Sequence, residues 1–127
     1  MQQVETTDPN DAQAWIGLDV FDRGGDRLGR LTCIYLDTHS GQLAFGQVRQ
    51  GLFGLRSVLV PLAGAFEEGG ALILDVDKHA IKGAPHLRRE EPLPPEMEGP
   101  LFAHYGMEQG SGPRLELWQP EPADRPR

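Results

Sequence analysis

The chain has 127 residues, room for one domain of about 90–100 ordered residues and too little for a second, catalytic one. Hydrophobic residues make up 39% and charged residues 24% of it, the composition of a soluble globular chain. Its net charge of −7 argues against sequence-independent attraction to phosphate backbones, which depends on clustered Lys and Arg. The pair Arg88-Arg89 runs straight into Glu90-Glu91 and is cancelled locally. A lone cysteine, Cys33, excludes an internal disulfide and suits a reducing compartment.

Residues 1–13 are polar and contain Asp8-Pro9-Asn10-Asp11, a turn-prone lead expected to fray, with order beginning near Trp15. Ile16, Leu18 and Val20 then alternate with Gly17, Asp19 and Phe21, the period of a strand. Arg23-Gly24-Gly25-Asp26 supplies a hairpin. A second strand is predicted over 28–37, with a bulge where the alternation slips near Cys33. After the turn Thr38-His39-Ser40-Gly41 comes a third strand over 43–49.

A fourth strand is predicted over 56–62, with Val58, Val60 and Leu62 inward and Pro61 marking its end or an edge. Glu67-Glu68-Gly69-Gly70 is a further turn, and 71–76 a fifth strand. Asp77 is placed to cap a helical turn over 78–82 that Gly83 ends. Residues 84–98, rich in proline and charge, are expected to run over the surface. Pro100 suits the start of a helix over 101–105, with Leu101 and Tyr105 on one face covering an open barrel end and Gly106 as the stop. Residues 107–127 read as a largely disordered tail, interrupted by the apolar island Leu115-Glu116-Leu117-Trp118. Many short strands with hairpin signals between them indicate a small barrel or sandwich.

Several segments in order carry a family resemblance: Gly17-Leu18-Asp19-Val20, Asp26-Arg27-Leu28-Gly29-Arg30-Leu31, Tyr35-Leu36-Asp37, Gly51-Leu52-Phe53-Gly54, Val58-Leu59-Val60-Pro61-Leu62 and the run from Asp77 to Pro85. Together they resemble a PRC-barrel domain over residues 14–106. The resemblance implies a small, twisted, mostly antiparallel β-barrel with one or two short C-terminal helical turns. It also implies a docking module without catalysis. Similar domains occur in ribosome maturation factors and in the H subunit of photosynthetic reaction centres. Neither the extra N-terminal barrel of the first nor the transmembrane helix of the second is expected from this sequence, so neither role is carried over.

Candidate chemistry is sparse. His39, His79, His86 and His104 have no metal-site spacing and read as solvated. Cys33, mid-strand and with no local base, reads as packing rather than a nucleophile. Gly24-Gly25-Asp26-Arg27-Leu28-Gly29 lies between two strands rather than before a helix, so it reads as a hairpin and not a phosphate cradle. Asp19, Asp22, Asp26 and Asp37 lack the oxygen spacing of a calcium loop and read as surface carboxylates. No catalytic residue, cofactor or metal is assigned.

The remaining signal is Gly51-Leu52-Phe53-Gly54-Leu55, three large apolar residues in an inter-strand connection. Either Phe53 folds back to plug the barrel, or the loop is an interface. Leu117 and Trp118 either dock on this chain's own barrel or add as a strand to a neighbour's. The sequence thus predicts a non-catalytic protein-interaction or scaffolding module. Its partner site is Leu52, Phe53, Leu55, Leu117 and Trp118, and the partner is an unidentified protein or a second copy in a homodimer. The alternative is a ribosome-maturation or RNA-processing accessory factor that binds a basic ribosomal protein; a small-ligand binder is the third reading. No direct nucleic-acid contact and no membrane span are expected. Met1-Gln2-Gln3-Val4-Glu5 lacks the features of a secretory signal, so the expected location is the cytoplasm.

Overall fold

The structure is a computed structural model and describes residues 9–51, 56–88, 93–107, 110 and 113–118. A helical turn, α1 (Pro9–Ala12), runs into a 3-10 turn at Gln13–Trp15. The strands β1 (Asp19–Phe21), β2 (Arg27–Asp37), β3 (Leu43–Gln50), β4 (Arg56–Pro61), β5 (Phe66–Glu68) and β6 (Ala71–Ile73) follow. Then come α2 (Lys78–Ile81), β7 (His86–Arg88), α3 (Glu98–His104) and β8 (Leu115–Leu117). Strand order is β5-β6-β1-β2-β3-β4-β7, with β8 paired to β2 off that path. The fold is mainly β, as expected. Two features differ from a closed antiparallel barrel: the ladder runs as an open path, and β1 pairs with β6 in parallel. That pairing joins strands some fifty residues apart, which local alternation cannot encode.

Local chemistry explains the turns. Gly69 and Gly70 join β5 to β6 with φ of 62° and 82°, the two positive values that match a tight hairpin loop to the twist of its strands. Asp77 caps α2 by accepting the Ala80 N–H at 3.0 Å. The β2–β3 register shifts between Leu31 and Cys33, where the alternation slipped in sequence. Gly29 meets the tightest constraint. Its φ is +154°, and a Cβ there would stand 2.1 Å from the Arg49 carbonyl oxygen, so no other residue lets β2 and β3 approach this closely.

The sheet buries both of its faces. On the inner side Val20, Leu31, Ile34, Val48, Val58, Val60 and Leu72 close a core into which Trp15 and Ala12 also pack. The ordered chain therefore reaches back to α1, ahead of the Trp15 expected from sequence. On the outer side Tyr35, Phe45 and Leu59 form a second apolar surface. Helix α3 lies over it with Leu101 and Phe102 and meets the Phe45 ring edge-on, with ring centroids 5.5 Å apart. This helix covers a face of the sheet, whereas the sequence suggested a barrel end. Strand β4 is accordingly buried on both sides from Ser57 onward, so Leu59 joins Val58 and Val60 as core. The stretch after residue 84 is also more structured than expected, because β7 adds to β4 along Arg56–Val58.

Replacing Gly29 with alanine should lower the unfolding free energy by about 2–3 kcal/mol through strain and steric overlap. Urea denaturation with an unchanged slope checks this; a variant as stable as the parent would show that β2 and β3 tolerate a wider approach.

Candidate functional site

Strand β2 is eleven residues long and serves three partners. Along one side it pairs with β3. On the other, its first residues pair with β1 and its last three, Tyr35 to Asp37, pair with β8. The apolar island of the tail thus docks on this chain's own barrel. The Thr38 N–H donates to the Arg114 carbonyl at 2.7 Å and the Trp118 N–H to the Ile34 carbonyl at 2.8 Å, one at each end of β8. Leu115 packs with Tyr35 and Phe45 on the outer surface, while Trp118 packs against the inner core. Leu117, opposite Tyr35, is left 37% exposed.

A charged latch holds the start of β8. The Arg114 guanidinium donates through Nε to Asp37 Oδ1 at 3.2 Å and through Nη2 to Oδ2 at 2.8 Å. Its carbon lies 5.8 Å from the centre of the Phe102 ring. The Glu98 carboxylate is buried and accepts the backbone N–H groups of Arg114 at 2.8 Å and Leu115 at 3.2 Å. One residue of α3 therefore fixes the backbone of the last strand. Arg114 and Asp37 are only 20% and 19% exposed, so water screens this pair less than surface pairs such as Arg23–Asp75, more than 60% exposed at 3.7 Å. Burial works against the charge of Asp37, but the Arg114 fork and the His39 N–H outweigh it and hold the carboxyl below its ordinary value.

The four aspartates weighed as a cation site do not converge. Asp22 accepts the N–H groups of Asp26 at 2.7 Å and Lys78 at 2.8 Å, tying the first hairpin to the start of α2. Burial opposes its charge, and these backbone donors, with those of Gly24 and Gly25, lower its carboxyl all the same. Asp19 pairs with Arg27 at 2.8 Å, Asp26 with Lys78 at 3.1 Å and Asp37 with Arg114. Among the described residues no three His, Cys, Asp or Glu side chains form a metal-binding group.

Cys33 lies half-buried against the outer core, and burial raises its thiol, the state of a packing residue rather than a nucleophile. Tyr35 is raised by burial too; its hydroxyl accepts from Gln47 Nε2 at 2.8 Å and from the Leu93 N–H at 3.1 Å. His104 Nε2 lies 2.8 Å from the Ala80 carbonyl and links α3 to α2.

Of the residues predicted to bind a partner, Leu117 and Trp118 belong to this edge, while Leu52, Phe53 and Leu55 lie outside the described residues. Sequence reasoning read Asp37 as a surface carboxylate and missed its pairing with Arg114, and it missed Glu98 and Arg114 altogether. A pairing seventy-seven positions apart leaves no local pattern, and Glu98 sits in a charged, proline-rich stretch that resembles solvated surface.

An open eight-stranded sheet with an apolar cluster on each face, and a helix over one of them, defines a small barrel-like β-domain. A family model of the PRC-barrel domain matches residues 11–82, more than half the chain, and the chain belongs to that family. PRC-barrel domains are in general protein-interaction or scaffold-type folds and generally non-catalytic. No curated protein matches the chain. Strand β7, helix α3 and strand β8 lie beyond the matched residues.

The latch has a defined acid dependence. Because the folded Asp37 carboxyl is lowered, its stabilisation is fully present above the unfolded value of about 3.9 and is lost as pH falls through the folded value. Asp37→Asn should cost about 1–3 kcal/mol at pH 7, and the gap from the parent should shrink below about pH 4. Urea midpoints at both pH values check this; a gap independent of pH would show that the pair contributes nothing as a charge.

Proposed function

We propose that this domain is a non-catalytic protein-interaction module that docks a partner along the side of β8 that faces away from β2, at Leu117, with the apolar connection Leu52, Phe53 and Leu55 as a second contact. The observation that carries this reading is β8 itself. It extends the sheet, pairs among the described residues with β2 alone, has the outward N–H of Leu115 held by Glu98 and leaves Leu117 exposed farther along that outer side. An edge strand with an exposed leucine is a template for an added strand. Trp118 anchors the strand from beneath by packing on the inner core, so the docking edge is held before a partner arrives and less ordering entropy opposes binding.

A second copy of the chain is the partner that symmetry favours, because two edges of the same sequence pair antiparallel about a two-fold axis. The other exposed apolar residues fit a role in association: Phe66, on terminal strand β5, is 48% exposed. Among the described residues no helix is long and apolar enough to cross a membrane.

Leu117→Lys should weaken docking without unfolding the domain, since a lysine on an edge strand disfavours strand addition. Sedimentation equilibrium of the full chain, and capture of partners on it, should both weaken by about tenfold or more in this variant. Leu52→Ala with Phe53→Ala should weaken them further. Association unchanged in all of these variants would refute the reading.

A further inference from the structure

The outer face of the sheet is covered unevenly. Helix α3 lies over Tyr35, Phe45 and Leu59, in the part built from β2, β3 and β4. Farther along, Phe66 stands opposite Ile73, and Ile73 opposite Phe21, so one apolar row crosses β5, β6 and β1. The adjacent Leu72 and Val20 are buried in the inner core, which puts this row on the outer side. None of the three belongs to either apolar cluster, and Phe66, at the end of the row, is 48% exposed.

The row ends on a strand with a free edge. Strand β5 is terminal in the sheet path and pairs, among the described residues, with β6 alone. The two-residue turn at Gly69-Gly70 makes Glu68–Ala71 and Phe66–Ile73 the hydrogen-bonded pairs. The N–H and carbonyl of Glu67, between them, therefore point away from the sheet, and among the described residues nothing else bonds to them. Phe66 and Glu68 project to the outer side and Glu67 to the side of Leu72; all three are exposed. Asp19, Asp26, Asp37 and Asp75 each face a cation, whereas among the described residues Glu67 and Glu68 make no ion pair.

An edge that offers one N–H, one carbonyl, an aromatic ring and two unpaired carboxylates selects its occupant. A second copy fits badly, because two β5 edges bonded through Glu67 set that carboxylate opposite its own copy and Phe66 opposite Glu68. A nucleic acid or an anionic lipid surface is repelled by the same carboxylates and by the net charge of −7. We infer that the outer edge of β5 receives a basic extended segment of a partner protein, added as an antiparallel strand with an apolar side chain opposite Phe66 and a Lys or Arg opposite each of Glu67 and Glu68. Opposite-charge and aromatic–apolar pairs across strands stabilise such a contact, and the acidic chain draws a basic segment towards it. The pattern required of the partner, read from its N-terminal side, is basic, basic, apolar. This rests on the reading of the domain as a protein-interaction module, and it gives that module a second edge with its own specificity.

The test is a titration of the nitrogen-15-labelled full chain with the peptide Thr-Lys-Lys-Val-Thr, read at backbone amides by NMR at low and physiological salt. The peptide Thr-Glu-Glu-Val-Thr serves as control. The lysine peptide should shift the amides of Phe66, Glu67 and Glu68 saturably, and salt should weaken its binding. Glu67→Lys combined with Glu68→Lys should weaken binding by about tenfold or more without lowering the melting temperature, because both side chains are exposed. Phe66→Ala should weaken it as well. Docking at β8 is read apart, at the Leu117 amide and by sedimentation of the same sample, so failure at β5 leaves that reading standing. Absence of saturable shifts at β5, equal binding of the glutamate peptide, binding unchanged in the double variant, or β5 shifts that grow with the concentration of the chain alone would overturn the inference.

Discussion

The domain depends on one strand that has to satisfy more neighbours than a straight strand reaches. A strand has two hydrogen-bonding edges, and β2 uses one along its length for β3. The other is divided between β1 at the start and β8 at the end. The register shift at Cys33 makes this division possible, because an extra residue bends a strand and increases its local twist. The two ends then aim at different neighbours. With β2 bent in this way, β1 and β6 curl over the inner core and β8 closes the remaining edge.

The outer face follows from the same bend. Tyr35, past the bulge, stands beside Phe45 on the side away from the inner core, so the sheet needs a cover there. Helix α3 provides it, and Glu98 at its first turn adds a constraint of its own. A buried carboxylate is costly unless its oxygens are hydrogen-bonded; here both accept N–H groups from the strand that follows the helix. Helix and strand are thereby coupled, since removing β8 would strip partners from a buried charge. The Arg114–Asp37 fork then joins β8 to the strand that α3 covers. Three segments far apart in sequence become one cooperative unit, which gives an edge strand of three residues a fixed geometry.

Legibility in the sequence follows the range of the interaction. The slip in alternation at Cys33, the Asp77 cap, the Gly69-Gly70 turn and the end of β4 at Pro61 are signals within a few residues, and each lies where the structure has it. The parallel β1–β6 pair, strand β7 and the latch were not legible. They join residues tens of positions apart, and β7 is three residues long and follows a proline. The apolar island at 115–118 was visible as an anomaly, yet its position on β2 depends on Asp37 and Glu98, whose roles no local pattern shows. The placement of Arg49 opposite Arg30 was hidden for the same reason, because register rather than spacing brings them together.

The most direct test of this account is amide hydrogen exchange on the full chain, read at Thr38 and Trp118, whose N–H groups close the two ends of the β2–β8 ladder. The account predicts that both are protected together in the parent chain and lose protection together in Arg114→Ala, while core amides such as those of Val48 and Val60 in the β3–β4 ladder stay slow. Exchange of Thr38 and Trp118 at the rate of an unstructured peptide in the parent chain would contradict it, because the last strand would then not be part of the folded edge from which docking is argued.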